Sequence, residues 1–477
     1  MFIMADTQRW WALAFLVLAQ FMIVLDISIL NVALPSIERQ FDLTVSDLQW
    51  IVTAYTLCFG GFLLLGGRAA DLYGRKRVFL SGVACFTAVS LLIGIADSAS
   101  LMVPLRALQG LSAAFMSPSA LSIVLTLFQR QRERTRALSI WGAVSAGGAT
   151  AGLLLGGLLT QYLNWRWNFF VNVPVGITVF IASLRLLPQR EEEESDTTLD
   201  LPGAVLITSA LLVLVYALSQ ANSWGWTSGT TFILFFGAFV LLGGFAINES
   251  RARHPLMPLS VLRIGNVAAA DIVQLPITAS LFSMFFFLSL YVQNILHYTP
   301  LTAGLAFLPS TITVGITATL VPRLIAKIGY KWILVVAPLF LAGGLFTFTR
   351  LAAGGSYLDF LPGLLFMAVG LGACFVSIAV AATTGIPGRE SGLASGLLNT
   401  AQQIGGSLGL AILTSVASAQ TVAVLAATPG DKVGALLSGF HSAFYTGMFF
   451  GLSASVLALL LIRQTRSTSV IQLPPAA

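Results

Sequence analysis

The sequence predicts an all-α integral membrane protein with fourteen transmembrane helices, arranged as two six-helix bundles with two extra helices between them. Of its 477 residues, 57% are hydrophobic and only 9% are charged, whereas about a quarter of the residues of a soluble domain are charged. Apolar runs long enough for a helix to span the membrane recur along the whole chain. The strands of a membrane β-barrel would instead alternate in segments of about ten residues, and no such alternation occurs.

Each apolar run long enough to cross a hydrocarbon core of about 30 Å is interpreted as one span, bounded by charged residues, Pro or Gly. The first run is too long for the core of a signal peptide, so we expect it to remain as a span. Residues 417–439 are rich in small residues and only weakly apolar, so the boundary between the last two spans is the least sharply defined one. The predicted spans are 11–37, 47–67, 77–96, 100–127, 136–160, 165–187, 200–220, 230–249, 266–296, 301–325, 331–350, 357–384, 394–419 and 440–462.

Lys and Arg are unevenly distributed over the connections between these spans. With the amino terminus in the cytoplasm, twenty of the twenty-five Lys and Arg residues fall on the cytoplasmic side and four on the other, and Arg106 lies inside a span. Such an excess marks the cytoplasmic loops of membrane proteins. We therefore expect a multi-pass protein of a bacterial plasma or inner membrane, with both termini cytoplasmic. Because the positive charges flank apolar segments, the net charge of +6 does not indicate a nucleic-acid partner.

The two ends of the chain contain matching segments. Residues 67–76 align with residues 322–331, and an Arg, a Gly and a Lys coincide. Parallel repeats of six helices are typical of secondary transporters with a binding site near the membrane midplane. The predicted division is an amino-terminal bundle over 1–187, an acidic linker with two inserted helices over 188–265, and a carboxy-terminal bundle over 266–477.

The loop between the second and third spans reads Gly67-Arg68-Ala69-Ala70-Asp71-Leu72-Tyr73-Gly74-Arg75-Lys76-Arg77. Its glycines allow a tight turn, and Asp71 lies within reach of Arg75 or of a helix amino terminus. A positively charged topology signal is the simpler alternative, but it needs no Asp. The pattern resembles the signature loop of the major facilitator superfamily and implies that fold. It also implies that the loop stabilises the outward-facing state and gates the cytoplasmic side, through Gly67, Arg68, Asp71, Gly74, Arg75 and Lys76.

The fourth span contains Arg106-Ala107-Leu108-Gln109-Gly110. An Arg inside the bilayer costs at least ~2.5–3.5 kcal/mol on insertion scales. Arg106 therefore needs a partner or a water-filled cavity, or it extends to the membrane interface. The Arg-x-x-Gln-Gly pattern resembles the fourth-helix motif of the superfamily, which implies a role in proton coupling.

The fifth span is rich in glycine. Gly148, Gly152 and Gly156 recur every four residues and form a smooth face for close helix packing, with Gly157 beside them. The segment also resembles the antiporter signature of drug exporters, in which a Pro follows the glycine that corresponds to Gly152. Here Leu153 occupies that position. The departure leaves the packing role intact, but it supports neither the expected kink nor the use of the motif as a marker of export.

The first span supplies the main acidic candidate. Asp26 lies sixteen residues beyond Trp10, about 24 Å along a helix and slightly past the midplane. A carboxyl group at this depth is suited to gain and lose a proton during a transport cycle. The alternative is a structural Asp that is capped by Ser28, by Asn31 or by a neighbouring helix. The segment Leu25-Asp26-Ile27-Ser28-Ile29-Leu30-Asn31-Val32-Ala33-Leu34-Pro35 resembles the first helix of the fourteen-span drug/proton antiporters. Residues 165–176 and 391–400 resemble further segments of that branch.

Asp271 is the other acid well inside a span, and Gln274 shares its helical face. It is a candidate for a second proton-coupling site beside Asp26 and Arg106, for a substrate counter-ion, or for an interfacial structural acid. Polar side chains inside the spans are candidates for the wall of a substrate cavity, although bonds between helices explain many such residues. The candidates are Asn31, Gln109, Asn172, Gln274 and Asn399.

The combined pattern predicts a proton-coupled secondary transporter that exports hydrophobic, often cationic drugs by alternating access. No Gly-x-x-x-x-Gly-Lys-(Ser/Thr) loop occurs, so an ion gradient is the expected energy source. We expect no enzyme activity, cofactor or metal, because the three cysteines lack metal-ligand spacing and no catalytic cluster is visible. We expect the protein to act as a monomer in the lipid bilayer. Export of one endogenous metabolite or antibiotic is the alternative function, and a membrane sensor is a more distant one.

Overall fold

A computed structural model describes residues 6–187, 200–253, 255–257, 260–384 and 391–464 of the chain. Within these ranges thirteen helices are long and apolar enough to cross a membrane. A further helix, Gln131–Tyr162, stands at the position of the fifth predicted span. The prediction of an all-α membrane protein is therefore confirmed. The acidic linker at 191–196 lies outside the described residues.

The helices are numbered in chain order. They are α1 (Asp6–Phe41), α2 (Val45–Tyr73), α3 (Arg75–Ile95), α4 (Ala99–Leu127), α5 (Gln131–Tyr162), α6 (Trp167–Leu186), α7 (Leu201–Trp224), α8 (Gly229–Arg251), α9 (Val267–Ile295), α10 (Pro300–Ile328), α11 (Tyr330–Phe348), α12 (Tyr357–Thr383), α13 (Ser391–Ala427) and α14 (Lys432–Leu461).

The boundaries of the last two spans differ from the prediction. Helix α13 continues to Ala427 and α14 begins at Lys432, so most of the small-residue stretch 417–439 is helical. Alanine has the highest helix propensity, and the Ala-rich end of α13 needs no apolar side chains to remain helical. Asp431 starts α14 by accepting a hydrogen bond from the Gly434 backbone N–H at 2.8 Å.

Helix α9 is irregular in its second half. It contains two π-helical turns, Ser283–Phe287 and Tyr291–Ile295. Such turns shift the faces that side chains occupy and are frequent at functional sites. Hydrophobic periodicity does not reveal them, because apolar residues occupy every face of this part of the helix.

The helices form two packed groups. Helix α1 packs on α5 and α6, and α4 packs on α2 and α3. In the second group, α11 packs on α12 and α14, and α13 packs on α9 and α14. Helices α7 and α8 pair with each other, and α7 also contacts α2 and α13, one helix from each group.

Buried polar contacts connect α7 to both groups. The Gln49 side chain on α2 donates from Nε2 to Ser219 Oγ on α7 at 3.3 Å, and its Oε1 accepts from Thr414 Oγ1 on α13. Nearby, Thr56 and Ser407 share a hydrogen bond of 2.6 Å between α2 and α13. The inserted pair of helices is therefore seated against the seam between the two groups.

Fourteen helices that cross in alternating directions place the start of α1 and the end of α14 on one side of the helix array, here called the termini face. On the opposite face the two groups touch again, because α1 contacts α9 and α5 contacts α10.

Candidate proton-coupling and substrate site

Asp26 on α1 and Arg106 on α4 form a buried ion pair. Arg106 Nη1 lies 2.5 Å from Asp26 Oδ2. The Asp26 side chain is 0% exposed and the Arg106 side chain is 1% exposed. A buried charge is tolerated when it is paired and hydrogen-bonded. The guanidinium therefore does not reach the membrane interface, and the interfacial alternative for Arg106 is wrong.

Two amide side chains hold the second carboxylate oxygen of Asp26. Gln109 Nε2 donates to Oδ1 at 3.0 Å, and Asn172 Nδ2 on α6 donates to the same atom at 2.9 Å. Gln109 also accepts from Arg106 Nη1 at 2.6 Å and donates to Ser90 Oγ on α3 at 2.8 Å. Gln109 and Asn172, expected along the cavity wall, are fully buried and hold Asp26.

Arg106 has further partners on α2 that the sequence did not single out. Its Nε donates to the Ile51 carbonyl at 3.1 Å, and its guanidinium carbon lies 4.3 Å from the centre of the Tyr55 ring. The Phe169 ring lies on another side at 5.8 Å. Phe169 belongs to the segment 165–176 that resembles the antiporter branch, although it was not singled out there. Tyr55 and Ser90 carried no sequence signal, because aromatic and hydroxyl residues are common in membrane helices.

The first-helix residues proposed as alternative caps of Asp26 bond elsewhere. Ser28 Oγ donates to the Val24 carbonyl at 3.0 Å, and Asn31 Nδ2 donates to the Ile27 carbonyl at 3.3 Å. Both bonds stay within α1. The environment of Asp26 is therefore built by α4 and α6 and not by its own helix.

The charged form of Asp26 on α1 is stabilised by side chains of two other helices, α4 and α6. Adding a proton to this carboxylate would leave Arg106 without its counter-charge in a buried place. Unpaired buried charges are costly. A proton can therefore be exchanged at Asp26 only together with a change in the surroundings of Arg106, which is the chemical requirement for coupling a proton to a conformational step.

The predicted gating loop lies at the termini face. Arg75 Nη2 pairs with Asp71 Oδ1 at 3.1 Å. Lys76 Nζ donates to the Leu184 and Leu187 carbonyls at 2.9 and 2.6 Å, at the end of α6. Gly74 between α2 and α3 has φ +90°, a conformation that side-chain-bearing residues rarely adopt. Gly67 faces Pro118 on α4, and Arg68 keeps a buried Nε without a partner among the described residues.

The glycines of α5 bring two helices close. A Cβ added at Gly152 would lie 2.6 Å from Ser28 Cβ, and one at Gly156 would lie 2.8 Å from the Ile29 carbonyl oxygen. Gly148 faces Val24 at 3.2 Å. Gly157 instead faces the Pro300 carbonyl oxygen of α10 at 2.7 Å. The glycine row thus packs α5 on α1, and its last member packs α5 on the other group of helices.

Hydrogen bonds from α9 close the opposite face. Ser289 Oγ donates to the Asn31 carbonyl at 2.7 Å, and Gln293 Nε2 donates to the Val32 carbonyl at 3.1 Å. Asn294 Nδ2 donates to Glu38 Oε2 at 2.8 Å. Gln293 and Asn294 belong to the second π-turn, so this turn brings both side chains onto α1.

A cavity of about 240 Å³ lies between α9, α12 and α13. Gln274 and Asn399, both expected along a substrate cavity, line it together with Phe375, Leu398 and Gln402. Asp271 lies one helical turn from Gln274, and its Oδ1 is buried without a hydrogen-bond partner among the described residues. Asp271 is not brought together with Asp26 or Arg106. Within the described ranges no group of three His, Cys, Asp or Glu could hold a metal ion.

The sequence is similar to curated antibiotic export and resistance proteins. It is 38% identical to the puromycin resistance protein of Streptomyces alboniger over 96% of this chain and 92% of that protein. It is 36% identical to the cephamycin export protein of Amycolatopsis lactamdurans over 96% of this chain and 94% of that protein. The lincomycin resistance protein of Streptomyces lincolnensis is 34% identical over 86% of this chain and 84% of that protein.

The fold also matches solved transporters. A bacterial homologue of the human lysosomal transporter Spinster, solved in an inward-facing and unoccupied conformation, superposes with a TM-score of 0.69 at 17% identity over 96% of this chain and 98% of that one. Residues 16–410 match the sequence model of the Major Facilitator Superfamily. With that match and these relatives, the chain belongs to the Major Facilitator Superfamily and is a multi-pass membrane transporter of its antibiotic-resistance and drug-efflux branch.

Proposed function

We propose that the protein exports antibiotics and similar hydrophobic, often cationic molecules from the cytoplasm in exchange for protons. The observation that carries the proposal is the Asp26–Arg106 pair, which is buried and is held by Gln109 on the same helix as Arg106 and by Asn172 on α6. Buried ionisable groups inside membrane helices commonly mark proton or substrate pathways. Relatives named for antibiotic export and resistance support the substrate class.

The proposed orientation decides which side of the membrane the described conformation faces. With the termini face in the cytoplasm of a bacterial cell, the hydrogen bonds between α1 and α9 close the external side. The cavity beside Gln274 and Asn399 then lies toward the cytoplasmic side. The arrangement corresponds to a transporter ready to load substrate from inside. Because Asp26 and all of its partners belong to one chain, we propose that a monomer is sufficient for function.

Protonation of Asp26 supplies the step that releases substrate. Once the carboxylate is neutral, Arg106 becomes an uncompensated positive charge, which disfavours a cationic substrate nearby. Release of the proton to the cytoplasm restores the Asp26–Arg106 pair and removes this repulsion. The proton gradient therefore drives the cycle without a nucleotide or another cofactor.

Everted membrane vesicles from a pump-deficient bacterial host test this function. With the vesicle interior acidified, the wild-type protein should accumulate puromycin, and nigericin, which collapses the pH gradient, should abolish the accumulation. The double variant Asp26→Asn/Arg106→Gln should not accumulate the drug, because it has no titratable group at this place. Accumulation that persists after nigericin would contradict proton coupling.

A second candidate is export of a single antibiotic or endogenous metabolite. Several relatives carry the name of one compound, namely puromycin, cephamycin, tetracenomycin C or lincomycin. Parallel uptake of these four compounds in the same vesicles separates the two candidates. Accumulation of structurally unrelated members of the set supports a broad exporter, whereas accumulation of one alone supports the narrow one.

A further inference from the structure

The internal repeat places two corresponding turns at the termini face. Gly74 between α2 and α3 has φ +90°, and Gly329 between α10 and α11 has φ +81°. The segments 67–76 and 322–331 therefore agree in the conformation of this turn as well as in sequence. They differ in charge, because the second segment contains cations and no acid.

In the first segment, groups of the protein bind two of the cations. Asp71 pairs with Arg75 at 3.1 Å. Lys76 Nζ donates to two backbone carbonyls at the end of α6. In the second segment, Ala326 stands at the repeat position of Asp71, so this turn has no carboxylate of its own.

The end of α14 does not bind the cations of the second segment either. The Arg463 carbonyl accepts hydrogen bonds from Tyr330 Oη at 3.0 Å and from Asn266 Nδ2 at 2.8 Å. Two uncharged donors therefore occupy this carbonyl. Within the described ranges, the three cations of the second segment form neither an ion pair nor a side-chain hydrogen bond, namely Arg323, Lys327 and Lys331.

The surface of α10 beside these cations is apolar and exposed. Ile316, Leu320 and Leu324 recur every four residues along it, and each is about half exposed. In a membrane-spanning helix such a row contacts acyl chains. Arg323 and Lys327 are exposed on the adjoining row, one helical turn apart. The apolar row therefore ends among basic side chains at the termini face.

The neighbouring helix α11 adds an aromatic side chain at the same level. Trp332 is 52% exposed, and its indole N–H donates to no group in the part of the chain that the structure describes. Tryptophan is enriched where acyl chains meet headgroups, because its ring is apolar and its N–H is a donor. The apolar row, the indole and the cations follow one another in the order of the acyl chains, glycerol region and phosphate of a phospholipid.

We propose that this surface binds an anionic phospholipid, with its phosphate held by the three cations and its acyl chains along the apolar row of α10. The lipid phosphate supplies at the second turn the negative charge that Asp71 supplies at the first. An Arg side chain can hold a phosphate with two parallel hydrogen bonds. The proposal depends neither on the exported substrate nor on proton coupling.

Native mass spectrometry of the detergent-purified protein tests the site through the affinity for the first bound lipid. The probes are phosphatidylglycerol, phosphatidylcholine with the same acyl chains, and glycerol phosphate, which has a phosphate and no acyl chain. Each cation near an anionic membrane surface adds roughly fivefold to binding. The wild-type protein should therefore bind phosphatidylglycerol roughly tenfold or more tightly than phosphatidylcholine, and it should bind glycerol phosphate only weakly.

Substitution of all three cations should remove this preference. Arg323→Gln/Lys327→Gln/Lys331→Gln should weaken phosphatidylglycerol binding by roughly tenfold or more and should leave phosphatidylcholine binding unchanged. Lys327→Arg/Lys331→Arg keeps the charges and should retain the preference for phosphatidylglycerol. Elution of each variant as a single monodisperse species establishes that it is folded.

A second triple variant separates a specific site from general charge attraction. Arg251→Gln/Arg253→Gln/Arg263→Gln removes the same net charge from exposed positions at the termini face and should leave the affinity for phosphatidylglycerol nearly unchanged. An equal loss in both triple variants would overturn the site and reduce the effect to diffuse attraction.

Three other results would also overturn the proposal. Equal affinity of the wild-type protein for the two lipids would show that this surface does not recognise charge. Unchanged phosphatidylglycerol binding in the variant without the three cations would place the lipid elsewhere. Glycerol phosphate binding as tight as that of phosphatidylglycerol would make the cluster a site for soluble anions and not for lipid.

Discussion

At the scale of single residues, the central feature is a charge pair that neither partner could keep alone. Asp26 and Arg106 are completely buried and are eighty positions apart in the chain. Removing one partner of a buried pair typically costs about 3–5 kcal/mol, whereas replacing both with neutral groups is often far less costly. The loss of protein stability caused by substituting one of the two residues should therefore depend strongly on whether the other is present.

A double-mutant cycle checks this dependence. Arg106→Gln and Asp26→Asn should each lower the Tm of the detergent-purified protein, and the double variant should be more stable than the sum of the two losses predicts. The partly exposed pair Arg9–Glu133, with a distance of 3.3 Å, is a useful comparison, since such pairs contribute only about 0–1 kcal/mol. Strictly additive losses at Asp26 and Arg106 would show that the pair does not couple.

A second residue-scale prediction concerns Asp71. Its pair with Arg75 is largely exposed, with side-chain exposures of 57% and 35%, so Asp71→Asn should hardly change the Tm. If the loop biases the two-state equilibrium, transport should slow while substrate affinity stays constant. Transport rates and binding constants measured on the same preparation provide the check. A normal rate would reduce the loop to a topology signal.

At the scale of helices, glycine decides how closely α5 can approach its neighbours. Gly152 and Gly156 touch α1, whereas nothing lies within 4 Å of a Cβ added at Gly142 or Gly147. The four positions share one helix and one residue type. They differ only in what faces them.

Substitution by alanine should separate these positions. Gly152→Ala places a Cβ 2.6 Å from Ser28 Cβ, closer than two carbon atoms can pack, and should lower the yield of monodisperse protein and its Tm. Gly147→Ala should be neutral or slightly stabilising, because alanine favours helix more than glycine does. Size-exclusion profiles and melting curves of both variants give the answer. A well-folded Gly152→Ala protein would refute the packing role.

At the scale of the whole molecule, the sequence was sufficient to predict the helical architecture and to identify individual polar residues inside the spans. Apolar length and charge distribution indicated the spans. An acid near the membrane midplane identified Asp26, and the one cation well inside a span identified Arg106. Their pairing was not predictable, because periodicity gives no distance between residues on different helices. The hydrogen bonds from Gln109 and Asn172 to Asp26 were not predictable for the same reason. The second π-turn of α9, which brings Gln293 and Asn294 onto α1, was not predictable either, because apolar residues on every face of this segment hide a local change of helical register.

Closure of the face opposite the termini is also a property of the whole molecule. Asn294 Nδ2 donates to Glu38 Oε2 at 2.8 Å across the two groups of helices. In a variant without the three native cysteines, Cys substitutions at these two positions should form a disulfide that blocks transport, and a reductant should restore it. The single Asn294→Cys variant should transport normally under oxidising conditions. A cross-linked protein that still transports would show that these helix ends do not separate in the cycle.

The central claim is that substrate and proton compete through Asp26. Its most direct test is proton release from purified protein in weakly buffered detergent solution when puromycin is added. The wild-type protein should release protons, and the signal should be lost in the folded Asp26→Asn/Arg106→Gln variant, while Asp431→Asn should match the wild type. Undiminished proton release from the double variant would contradict the account and would place the exchanged proton elsewhere in the molecule.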